Sequence, residues 1–112
     1  MNINVINGGF QALNFYQNDD ARVIINFADG DLAAYSNLVL EIRRGTRLDS
    51  PLVKRLVTGE GLTIESTARL SADLTTDQSG VFWLALVGQI AEGTGVTLAR
   101  GKIIVTSQIT RL

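Results

Sequence analysis

Any chemistry in this chain would fall to Asp, Glu, Arg, Lys, Tyr, Ser and Thr, because its 112 residues include neither His nor Cys. That excludes cysteine nucleophiles, Cys/His zinc sites, Ser-His-Asp triads and a histidine pH switch. Two acidic groups remain, Asp19-Asp20 and Asp29-Gly30-Asp31. Loops of this kind can supply the roughly six to eight oxygens of a Ca²⁺ site. They flank the run Arg22 to Phe27, however, and a strand of that length holds them about 20 Å apart. They therefore form neither one cation site nor the carboxylate pair, within about 5–10 Å, that a glycosidase requires. Asp and Asn beside a strand serve instead to close turns through side-chain hydrogen bonds. No metal and no cofactor is expected.

The basic groups are Arg43-Arg44-Gly45-Thr46-Arg47 and Lys54-Arg55. Glu41, Asp49 and Glu60 are interleaved with them and no ladder of aromatics accompanies them, so a salt-bridged surface is expected rather than a phosphate track. The formal net charge of −1 gives no field to hold a nucleic acid by counterion release. Gly93-Thr94-Gly95 lacks the strand-to-helix setting of a phosphate loop, and Ser79-Gly80 has no base to activate the serine. Both read as turns. Eight Arg against two Lys suit fixed ion pairs and interfaces better than a freely solvated surface.

The elements that must position these groups are strands. Apolar residues recur with period two in short runs separated by Gly, Asp, Asn and Ser, the pattern of an all-β domain. Strands are predicted near Ile3 to Ile6, Leu13 to Tyr16, Arg22 to Phe27, Leu38 to Arg43, Leu52 to Val57, Leu62 to Ile64, Ala68 to Leu74, Val81 to Val87 and Thr97 to Thr106. Asn7-Gly8-Gly9, Asp29-Gly30, Gly59-Glu60-Gly61 and Glu92-Gly93-Thr94-Gly95 supply turns, and Asp29 to Ser36 has room for one 3₁₀ turn. Pro51, the only proline, fits the start of an edge strand. Such spacing predicts an antiparallel β-sandwich of seven to nine strands, folded as one domain over residues 1–112. No run approaches the roughly 20 apolar residues of a membrane-spanning helix and no signal pattern opens the chain, so it reads as soluble and unprocessed.

Strand alternation assigns faces. Val23, Ile25 and Phe27, then Leu38, Leu40 and Ile42, and finally Ile103 and Val105 point to the core, leaving Val39, Glu41, Arg43, Arg100, Lys102 and Ile104 outward. Val81 to Val87 is apolar on both faces and so belongs at the centre of a sheet. Between the strands at Leu38 and Thr97, as in an immunoglobulin-like sheet, it would join Trp83 and Ala85 with Val39 and Ile104 in an apolar stripe. Glu41, Arg43, Arg100 and Lys102 would form its rim. A patch centred on the only Trp and edged by Arg has the make-up of a protein interface; the alternative is that a loop or the N-terminal segment folds over it.

Several segments together resemble a phage module. They are Phe15-Tyr-Gln-Asn-Asp-Asp20, Arg22-Val-Ile-Ile-Asn-Phe27, Asp29-Gly-Asp-Leu32 and Leu38-Val-Leu-Glu-Ile-Arg-Arg-Gly45. The second half adds Leu70 to Leu74, Thr75-Thr-Asp-Gln-Ser-Gly80, Val81-Phe-Trp-Leu-Ala-Leu86 and Leu98-Ala-Arg-Gly101-Lys-Ile-Ile-Val105, ending in Ile109-Thr110-Arg111. From about Phe15 to Arg111 the sequence is similar to the immunoglobulin-like β-sandwich at the N-termini of phage baseplate and tail-fibre proteins, the upper baseplate protein family among them. The resemblance implies a structural protein of the virion, made in the host cytoplasm and without enzymatic activity. It departs from that pattern in ending at Leu112, where those modules continue into a fibre or receptor-binding region. Phe82 stands where many immunoglobulin domains place the corner Tyr, so only ring packing can remain there.

The expected function is assembly or attachment through the sheet face carrying Val39, Glu41, Arg43, Trp83, Ala85, Arg100, Lys102 and Ile104. The expected partners are copies of the chain or other virion proteins, and neither nucleic acid nor membrane. The alternative is a carbohydrate- or receptor-binding β-sandwich that uses Tyr16, Tyr35 or Trp83 as stacking platforms.

Overall fold

Each alternating run forms a strand in the computed structural model, which describes residues 1–28, 31–90 and 95–107. In chain order these are β1 (Asn2–Val5), β2 (Leu13–Tyr16), β3 (Arg22–Phe27), β4 (Asn37–Arg43), β5 (Leu52–Thr58), β6 (Gly61–Ser66), β7 (Arg69–Asp73), β8 (Gly80–Gln89) and β9 (Gly95–Thr106). The only helical element among the described residues is a 3₁₀ turn at Leu32–Ala34, inside the stretch with room for one. Strand ends differ from the sequence reading by a few residues, most at β8 and β6, whose polar ends add rungs without apolar alternation. The turns expected at Asp29-Gly30 and over Glu92 to Thr94, and the closing Ile109-Thr110-Arg111, lie outside the described residues.

The strands pair in the order β1-β3-β7-β6-β5-β4-β8-β9-β2. β5 and β6 touch only at Val57–Gly61 and Thr58–Leu62, where the chain turns a corner, so the sheet doubles over into two layers. The layers are β1-β3-β7-β6 and β5-β4-β8-β9-β2; the first follows the ABED order of an immunoglobulin-like β-sandwich, and the second the C′CFG order with β2 added at the edge beside β9. Gly59 and Gly61 make the corner with φ of +89° and +90°, a region that side chains with a Cβ avoid.

Two edge pairings are parallel, β1 with β3 and β2 with β9. Their cause is the turn at Asn7-Gly8, whose φ values of 53° and 77° suit a tight two-residue hairpin. Ile6 and Gly9 exchange backbone hydrogen bonds across it at 2.9 and 3.1 Å. The chain thus leaves β1 on one layer, reverses, and enters the other beside β9, where the Arg100 amide donates to the Gly8 carbonyl at 2.9 Å.

Between the layers, Phe82, Leu84 and Leu86 of β8 meet Leu38, Leu40 and Ile42 of β4, Ile103 and Val105 of β9, and Val23, Ile25 and Leu70 of the opposite layer. Each such side chain, fully buried, contributes about 1.5–3 kcal/mol. Two inward positions carry no side chain. A Cβ on Gly101 would meet the ring of Phe10 at 2.2 Å, and one on Gly88 the ring of Tyr35 at 2.5 Å. Aromatic rings from the β1–β2 crossover and from the segment before β4 therefore fill the spaces these glycines leave. Phe27, expected in the core, is only half-buried at the end of β3.

Candidate interaction face

The ladder registers arrange the outward residues of β4, β8 and β9 in four rows. Val39 lies beside Val87; Glu41, Ala85 and Arg100 form the next row; Arg43, Trp83 and Lys102 the third; Val81 and Ile104 the last. All eight residues expected to line the face are on it, with β8 central between β4 and β9 as the sequence suggested. Their arrangement is different. Rows are two residues, about 7 Å, apart, so Ile104 is one row from Trp83 and Val39 two. The charged side chains flank Ala85 and Trp83 in the middle of the face, where the sequence reading had placed them around a continuous apolar stripe. Register set this, and composition alone does not encode it. Val39, expected to be exposed, is 8% accessible between Val57 and Val87.

The Arg43 guanidinium donates to Glu41 at 3.0 Å and to the Ser50 carbonyl at 2.8 Å. The second bond ties the β4–β5 loop down over the sheet. Arg47 and Leu48 of that loop, with Trp83, Ala85, Arg43 and Arg100, line a cleft of about 320 Å³. The overhang is a feature that sequence reasoning named only in general terms, as a loop folding over the patch. Leu48 itself is 89% exposed, an apolar residue at the lip with nothing packed on it.

Charge in the cleft is unbalanced. Glu41 is shared by Arg43 and, at 3.8 Å, Arg55, while Arg47 pairs with Asp49 at 3.4 Å. Lys102 lies 5.8 Å from the Trp83 ring centroid, a cation–π contact. Among the described residues no carboxylate comes within 4.0 Å of Arg100 or Lys102.

The other candidates disperse. Arg44 bonds Gln78 and stands 5.4 Å over the Phe82 ring, and Lys54 donates to the Thr75 carbonyl at 2.5 Å, so the basic runs do not converge. Asp19 and Asp20 occupy the β2–β3 turn, where Asn18 has φ of 63°. No group of three acidic side chains among the described residues could hold a metal ion. Asp29-Gly30 and Gly93-Thr94 lie outside them. Tyr16 is exposed on β2, two strands and two rows from Trp83, or about 17 Å by strand geometry. Tyr35 packs on Gly88 at the end of the core. The three aromatics proposed for stacking therefore share no groove. Among the described residues the one carboxylate with a clear shift is Asp73 on β7. The Thr75 hydroxyl holds its pKa below the usual value; burial opposes this, while the Thr75 amide, Lys54 and Arg22 add to it.

The sequence matches no protein-family model and no curated protein. Among solved structures, the fold is similar to that of CopC from Methylosinus trichosporium OB3b, with a TM-score of 0.57 at 14% identity over 91% of this chain and 90% of that one. The V domain of amphioxus IgVJ-C2 aligns with a TM-score of 0.33 at 11% identity, over 85% of this chain and 98% of that one. The extracellular domain of the voltage-gated sodium channel beta4 subunit aligns with a TM-score of 0.35 at 10% identity, over 88% and 94%. At 14% identity the likeness to CopC is one of fold alone, and the strand order given above is that of an immunoglobulin-like β-sandwich.

Proposed function

We propose that the chain is a non-enzymatic structural module of a phage virion, joining copies of itself or other virion proteins through the outer face of β4, β8 and β9. The observation that carries this reading is the position of Trp83. The only Trp of the chain is kept out of the core and stands half-buried at the centre of an outer sheet face. The virion setting rests on the sequence resemblance between Phe15 and Arg111, and the solved structures above have no bearing on it. The absence of His and Cys and the scatter of the carboxylates support a role without catalysis.

Association would remove the remaining exposed part of Trp83, with Ala85 and Val87, from water. At about 25 cal/mol per Å² the Trp alone contributes about 1–2 kcal/mol. Arg43, Arg100 and Lys102 would select partner and register. The test is molar mass by light scattering over a range of concentrations, for the wild type and Trp83→Ala. An assembly that Trp83→Ala weakens, with the fold retained, is the expected result. Loss of folding in Trp83→Ala would make the residue part of the core and overturn the reading. So would a monomer that captures none of the virion's purified structural proteins.

A further inference from the structure

The cleft between the β4–β5 loop and the sheet has a chemistry more specific than an apolar patch. Its floor is Ala85 and Trp83, its overhang carries Leu48 and Arg47, and Arg100 and Lys102 stand beside the floor on β9. The two β9 cations face the same way at positions i and i+2, about 7 Å apart. That is also the separation of side chains on one face of any extended peptide. Taking Arg55 and Lys102 with the cations that line the cleft, five positive groups have only Glu41 and Asp49 as ion-pair partners among the described residues. A cationic partner would be repelled and a neutral one would leave this surplus unanswered.

We propose that the cleft receives an extended acidic segment of a partner protein. Carboxylates at alternate positions meet Arg100 and Lys102, their stems lie on Trp83 and Ala85, and the residue between them turns up to Leu48. The proposal rests on the assembly reading given above and names the partner's chemistry at the same face. An acidic sugar carries one carboxylate per ring and offers no residue to the overhang, so the alternating arrangement favours a peptide.

The probe is a blocked peptide of sequence Gly-Ser-Glu-Leu-Glu-Ser-Gly, titrated into the full chain while the fluorescence of Trp83, the only Trp, is followed. Controls are the isomer with adjacent glutamates and an oligogalacturonate. The expected result is a saturable change with the alternating peptide that weakens with added salt. The double variant Arg100→Glu/Lys102→Glu should weaken it about tenfold or more. Both positions are exposed, and an unchanged far-ultraviolet circular dichroism spectrum would verify that the variant is folded. No saturable change, equal affinity for the isomer, equal affinity in the variant, or preference for the oligogalacturonate each overturns the proposal. Light scattering separates its failure from that of the wider reading. If Trp83→Ala disrupts assembly and the charge reversal does not, the face assembles without an acidic partner. If neither disrupts it, the face is not the interface.

Discussion

Adding one methyl group at Gly101 should cost more than its size suggests, because the space it would enter is already filled. An ideal Cβ there comes within 2.2, 2.4 and 2.5 Å of three Phe10 ring atoms, so the ring must move by about 1 Å to restore contact distance. The ring has little freedom to retreat. Its neighbour Gly9 is held to Ile6, and the Gly8 carbonyl accepts the Arg100 amide, in the strand that would push it away. Overpacking of this kind costs about 1–3 kcal/mol, and replacing Gly by Ala in a strand returns about 0.5–1. The net expectation for Gly101→Ala is a loss of about 1–2 kcal/mol, or about 4–8 °C in Tm. Phe10→Ala should lose about 2–3 kcal/mol, less than a fully buried Phe, because Phe10 is only partly buried. In the double variant the methyl finds the ring gone. Its cost should fall short of the sum of the singles by about 1.5–2 kcal/mol in urea titrations with unchanged m-values. Additivity within about 0.5 kcal/mol, or a stabilising Gly101→Ala, would refute the packing argument.

At the β5–β6 corner, Gly59→Ala meets open space and should show only backbone strain, about 1 kcal/mol. Gly61→Ala carries the same strain and also drives its Cβ to 2.5 Å from the buried Leu56 side chain, for a total of about 2–3 kcal/mol. Equal urea midpoints for the two would refute the displacement of Leu56. Asp73 has a folded pKa below its unfolded one, so its contribution to stability is present above the unfolded pKa and is lost as pH falls through the folded one. Asp73→Asn should therefore flatten the stability profile below about pH 4 and leave its neutral part parallel to the wild type, as urea midpoints at stepped pH would record.

Nine strands were legible in the sequence because each has one face in the core, and period-two alternation is the direct trace of that. Val23 with Ile25, and Phe82 with Leu84 and Leu86, show it clearly. The face of β8 that carries Trp83 was legible for the same reason. What alternation does not carry is the pairing between strands, and so the rows of the candidate face become visible only in the ladder registers. A single extra residue illustrates why: Leu98 bulges from β9 opposite Val87, shifting every rung beyond it. The overhang of the β4–β5 loop is held by hydrogen bonds within the loop, among them the one from Arg43 to the Ser50 carbonyl seven positions on, and alternation does not encode these. The two aromatic fillers did leave a trace. Gly88 and Gly101 occupy inward positions where alternation calls for an apolar side chain, and such a gap has to be filled from elsewhere in the chain.

The parallel pairing of β2 with β9 bears on how the molecule would carry a load. Its four rungs run from Leu13–Ile103 to Tyr16–Thr106, joining segments ninety positions apart. Tension drawn between the start of β2 and the end of β9 acts along both strands in opposite senses. The rungs are then strained together, in shear, and cannot open one at a time as those of a hairpin pulled from its ends would. The seam that closes this layer at its edge is thereby oriented to resist pulling along the axis of the strands, and it would give way far more readily to a force that peels β2 sideways from β9.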